Sequence, residues 1–129
     1  MRVTGPTIYE LVENAAAAMF SIGYDLSAIP PTYSRPLVAP GETIPELIGG
    51  FLEELILLGR EEGIVWSQAV IDRCEVGGVQ GSAAGRFLSE VVRHGPVAVS
   101  VASVDPVVEV PAGFWTEMVL ATDAGLHAV

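Results

Sequence analysis

The stretch RVTGPTIYELVENAAAAMF, residues 2–20, decides how the chain is read. It divides into a strand end, a Gly5-Pro6 turn and an amphipathic helix. Thr7 stands where an N-cap belongs, and Glu10 follows at capping-box spacing. Ile8, Leu11, Val12, Ala15, Ala16, Met19 and Phe20 then recur at the period of one helical face. Only Met1 to Thr4 precede the turn as strand. The first β-α unit is therefore expected to lack most of its strand, along with any chemistry that strand would carry.

Working outward, Gly23 is the stop signal of this helix, and Ser27 to Thr32 reads as a loop. Tyr33 to Val38 is expected to be a short edge strand, because Pro36 cannot donate to a ladder on both sides. Pro40-Gly41 reads as a turn. A second helix follows with Thr43 as cap and Glu46 at capping-box spacing. Ile44, Leu47, Ile48, Phe51, Leu52, Leu55 and Ile56 form its apolar face; Glu53, Glu54, Arg60, Glu61 and Glu62 mostly populate the other side, and Gly63 ends it. The mid-helix pair Gly49-Gly50 costs about 1 kcal/mol per glycine relative to alanine, so close packing is expected there. Ile64 to Val76 reads as a strand with Trp66, Gln68, Val70, Asp72 and Cys74 on one face, and Gly77-Gly78 as a two-residue hairpin turn. Val79 to Gly85 is the return strand. Arg86 to Gly95 is irregular with one helical turn, Pro96 to Val104 a strand buried on both faces, and Phe114 to Thr122 a last strand. Asp123 and Gly125 end it, with a frayed tail expected to Val129. The order β-α-β-α-β-β-β-β indicates one α+β domain over residues 1–129, with two helices packed on a largely antiparallel sheet.

Composition narrows the function classes. Sixteen acids face six bases, all arginine, for a net charge of −10. Such a balance argues against a nucleic-acid backbone as the direct ligand and suits a basic protein partner or a cation. No apolar run is long enough to span a membrane, and no secretory leader is expected ahead of the first helix. Cys74 is the single cysteine, which rules out an intrachain disulfide and fits the cytoplasm; it reads as a buried strand thiol. The stretch GGVQGSAAG lacks the Gly-Lys-Ser/Thr ending of a phosphate loop, which excludes that mode of nucleotide binding. His94 and His127 are isolated, and no serine has a His-Asp arrangement.

Five segments occur in an order that resembles the archease family: VTGPTIYELVENAAAAMF, TIPELIGGFLEELILL, the hairpin ending VQGSAAGRF, RHGPVAVSVASVD and GFWTEMVLATD. They cover nearly the whole chain. The resemblance implies an elaborated strand-helix-strand-strand domain. It further implies a non-catalytic cofactor protein that promotes guanylylation and turnover of an RtcB-type RNA ligase in tRNA splicing and repair. The family's site is a divalent cation, often calcium, held by two aspartates and a backbone carbonyl. Asp123 matches the second aspartate, and Ala124 stands where the carbonyl ligand would lie. The family's His-Thr-Ala-Asp-Ile motif, with the first aspartate, has no counterpart here. A Lys and a His of the family's late strand are replaced by Ser100 and Asp105. Asp105 is thus a weak candidate for the missing carboxylate; its alternative is a plain Asp-Pro turn.

Asp72 and Glu117 read as solvent-facing strand residues, and Trp66, Phe114 and Trp115 as core. The glutamate face of the second helix reads as a solvated face, or as the contact for a basic ligase surface. Two further readings stand beside the ligase activator: a degenerate, metal-free interaction scaffold of the same fold, and a small metal-dependent hydrolase using Asp72, Asp105 and Asp123. If the first strand is interior to its sheet, its shortness exposes an edge, and a homodimer through that edge or a sticky monomer is expected.

Overall fold

The computed structural model describes residues 1–25, 27, 30–91, 98–123 and 125–127, without the side chains of 126 and 127. Thr7 caps α1 (Ile8–Phe20): its hydroxyl accepts from the Glu10 amide at 3.1 Å. Leu11, Val12, Ala15, Ala16, Met19 and Phe20 are buried, as the period requires. The second helix, α2 (Ile44–Glu62), opens with a complete capping box between Thr43 and Glu46. It closes on Gly63 in the left-handed region at φ 68°, whose amide donates to the Gly59 carbonyl. Of the glycine pair, Gly50 has the packing reason: a Cβ there would stand 3.2 Å from the Pro40 carbonyl. Gly49 has no comparable constraint.

The chain is α+β, and its strands form two antiparallel sheets bridged by the helices. The smaller sheet has the order β2 (Tyr33–Gly41), β4 (Gly77–Phe87), β3 (Ile64–Glu75). In the larger, β7 (Gly113–Thr122) is central. β1 (Arg2–Gly5) pairs with residues 114–117 of β7, and β8 (Gly125–His127) pairs with residues 120–122. The opposite flank of β7 carries β5 (Val99–Val104) and β6 (Val108–Val110). α1 packs on β1 and β7 and also on β3; α2 packs on β2 and β5. Asn14 donates to the Thr4 carbonyl of β1 at 2.7 Å, while the next-door Glu13 accepts the Ile71 amide of β3 at 2.7 Å. Two adjacent residues of α1 thus tie both sheets to it.

Several sequence expectations are revised. β2 is an edge strand but continues through Pro40-Gly41 instead of turning there. Pro36 and Pro40 have the same parity, so both missing donors fall on its open side. The β3–β4 turn is Val76-Gly77, one residue earlier than the glycine pair, with Gly77 at φ 107°. Strict alternation fails in β3. Its inward residues are Trp66, Ala69, Ile71 and Cys74, opposite Gly85, Ala83, Gly81 and Val79. Ser67 and Asp72 are the extra residues of two register shifts, and each reverses the phase. β5 is buried on one face only. Val99, Val101 and Val104 pack on the core, while Ser100, Ala102 and Ser103 lie more open on the other side. The strand β6 was not foreseen, and the expected frayed tail instead contributes β8. A single 3₁₀ turn, Leu88–Glu90, stands where one helical turn was expected. Residues 92–97, with His94 among them, lie outside the described residues.

The first strand is not interior to its sheet, so its shortness does not expose the edge expected to drive dimerisation. β1 pairs with β7 alone among the described strands, so it is itself a flank strand.

Candidate functional site

Asp123 follows Thr122, the last residue of β7, in the turn to β8, and is exposed. Thr122 closes this turn by donating from its hydroxyl to the Gly125 carbonyl at 3.1 Å, and Gly125 supplies the positive φ of 123°. Thr122 pairs with Val99 at the start of β5. Val99 and Ala98 line a cavity of about 600 Å³ whose walls are Met19, Phe20, Leu55 and Trp66. Tyr24, Arg60 and Gly63 also border it. Asp123 therefore sits at the end of the molecule where the C-termini of both helices converge. Helix C-termini carry partial negative charge, so this end is electrostatically suited to a cation.

Trp66 is the anchor of that end. Its indole N–H donates to the Leu55 carbonyl at 2.8 Å, and the side chain is buried. It belongs to the core as expected. Tyr33 and Arg35 of β2 both reach Glu62, the last residue of α2; Tyr33 donates at 2.8 Å and Arg35 forms an ion pair.

Asp105 lies elsewhere. Its amide donates to the Glu117 carbonyl at 2.8 Å, and its carbonyl accepts from the buried Thr116 hydroxyl at 2.7 Å. These bonds pin Asp105 beside position 117 of β7, with an exposed side chain. Position 123 is six residues further along the same strand and its turn, which at about 3.3 Å per residue amounts to roughly 20 Å. Asp105 does not take the place of a second carboxylate for Asp123. Asp72 sits at a register shift of the other sheet, so Asp72, Asp105 and Asp123 do not converge. Ala124 lies outside the described residues. Among the described residues, no three His, Cys, Asp or Glu side chains stand close enough to hold a metal together. A hard divalent cation takes six to eight oxygen ligands.

Cys74 is half-buried on the inner side of β3, and burial raises its thiol above the ordinary range. It lacks the environment of a reactive thiolate.

One cluster escaped the sequence reading. Arg2 stacks over the Trp115 ring at 4.2 Å and donates to Glu117 at 3.2 Å. The amino terminus lies 3.9 Å from the same carboxylate and donates to the Met118 carbonyl at 2.7 Å. Arg2 and Glu117 are direct cross-strand partners. Their opposite charges are the only signal in the sequence, and it becomes visible once β1 is placed against β7.

The archease protein family (MTH1598/TM1083) matches this chain over residues 1–119. The chain belongs to the archease family. The match takes in four of the five segments quoted above and the start of the fifth. The solution structure of Methanobacterium thermoautotrophicum protein 1598 has a similar fold, with a TM-score of 0.65 and 21% identity. The alignment covers 95% of this chain and 85% of that one. Among curated proteins, none matches the chain in sequence. Within this archease fold, no helix among the described residues is long and apolar enough to cross a membrane.

Proposed function

We propose that this archease-family chain is a non-catalytic cofactor protein that promotes guanylylation and turnover of an RtcB-type RNA ligase. The observation that carries this reading is the family match over residues 1–119. The chain's own chemistry is consistent with it. No nucleophile–base pair was found in the sequence, and the net charge of −10 suits a protein partner with a basic surface better than RNA itself. The exposed side of α2, with Glu53, Glu61 and the neighbouring Leu57, supplies an acidic contact face with one apolar residue at its centre. The test is guanylylation of the cognate ligase with GTP and manganese, with and without this chain. Faster guanylylation or repeated turnover is expected. An unchanged rate with folded protein overturns the proposal.

A second reading has its own support. The separation of Asp105 from Asp123 along β7 supports an interaction scaffold that works without metal. The two readings part on one result: ligase stimulation that persists in EDTA-treated protein assigns the activity to the scaffold alone.

A further inference from the structure

Between the closing turns of α1 and α2 lies the cavity of about 600 Å³. Small-molecule sites span about 300–1,000 Å³, so its size suits a ligand. Met19, Phe20, Leu55, Ile64, Val65 and Trp66 are buried and supply an apolar wall. That wall is held in place by the fold itself. The Trp66 indole N–H is engaged by the Leu55 carbonyl at 2.8 Å, and a Cβ on Gly59 would stand 3.0 Å from the same nitrogen. With that N–H taken, Arg60 and Tyr24 are the described lining side chains that still offer polar groups.

Arg60 differs from the other described arginines. Arg2, Arg35, Arg73 and Arg86 each pair with a glutamate. Arg60 is exposed at the border of the cavity, and no carboxylate among the described residues pairs with it. In a chain of sixteen acids and six bases, a guanidinium without an acid is a departure. Its place in the last turn of α2 suits the helix dipole, but that leaves its N–H donors unused. Each helix end amounts to about half a charge spread over several carbonyls. The guanidinium is a whole charge that can meet a carboxylate through two parallel N–H···O bonds. We propose that this cavity binds a small apolar acid, with its hydrocarbon part against the Trp66 wall and its carboxylate on the Arg60 guanidinium. A carboxylate suits the site better than a phosphate. The second charge of a phosphate finds no other cation among the described lining residues, in a chain of net charge −10.

Decanoate is the probe, used below its micelle-forming concentration, with decanol as its neutral counterpart. Calorimetric titration of the whole chain should show decanoate binding and decanol binding more weakly. Arg60→Gln changes an exposed side chain, and circular dichroism checks that the variant is folded. It is expected to weaken decanoate binding roughly tenfold, the loss of one charge-assisted contact, and to leave decanol unchanged. Arg60→Lys should recover part of the loss. Fluorescence reads the position of the ligand. Trp115→Phe leaves Trp66 as the single tryptophan, and a terminally brominated decanoate should quench its emission. Absence of decanoate binding overturns the proposal. So does equal affinity for decanoate and decanol, binding that ignores Arg60→Gln, or binding that leaves the Trp66 emission untouched.

Discussion

Gly85 shows how a single residue constrains this fold. It faces Trp66 across the β3–β4 ladder, next to the first register shift, and a Cβ built on it would overlap the Val65 carbonyl. Gly81 stands in the same relation to Val70 beside the second shift. Each glycine lets β4 approach a strand whose backbone bends toward it. Gly85→Ala should therefore lower stability by about 1–3 kcal/mol, the cost of overpacking a close contact, read from the midpoint of urea unfolding. Cys74 tests the same sheet by chemistry. Burial holds its thiol above the ordinary range. In an acid whose folded pKa is raised, the unfolded chain loses its proton first. The thiol's contribution to stability is full below the unfolded pKa and is lost as pH rises through the window between the unfolded and folded values. Thiol labelling at pH 8 should be slower in the native chain than in urea, and equal rates would show that burial does not protect the sulfur.

At the scale of the elements, helices and strands differ in how their sequences specify them. α2 carries its own start and stop. The Glu46 carboxylate accepts from the Thr43 amide at 3.2 Å, while the Thr43 hydroxyl accepts from the Glu46 amide at 3.3 Å. Thr43→Ala removes the hydroxyl half of the box and should destabilise the protein by about 1 kcal/mol. In a domain of this size that corresponds to a fall in melting temperature of roughly 3 °C. A variant with an unchanged melting temperature would show that Glu46 alone suffices. Both helices were legible because cap, period and terminator are local. The edge strands show a different logic. β2 blunts its open side with Pro36 and Pro40, and β3 does so with two register shifts and the charged Arg73. These devices work against edge-to-edge pairing and leave the sheet face as the open surface.

For the whole molecule, the question is whether a cation contributes to the folded state. Asp123 and Asp105 are separated along β7, and no three-donor group exists among the described residues. A ligand that binds the native state stabilises it in proportion to the logarithm of its concentration over its dissociation constant. Addition of calcium at millimolar concentration should leave the melting temperature unchanged, and EDTA should do the same. A rise of several degrees with calcium would require a donor set that the described residues do not provide. The molecule's internal ties run between sheets. Glu13 and Asn14 join α1 to β3 and β1, and Glu62 joins α2 to β2. With each helix packed against both sheets, neither sheet has a core of its own.

The amino-acid sequence by itself determined both helices, their caps, their buried faces, the α+β class and the family. The helices, caps and faces rest on contacts within a few residues or on a repeating period, and the family on the order of the five segments. It also placed Asp123 at the end of the last long strand. Tertiary structure alone decided the division into two sheets, the phase of β3 and the addition of β6 and β8. A register shift inserts one residue and reverses every side chain beyond it, and its cause lies across the ladder, at Gly81 and Gly85. The candidate site was legible in part for the same reason. Asp123 can be found from its position on one strand. That Asp105 pairs beside Glu117, some six residues away from it, is a fact of register between strands, and no local pattern encodes it.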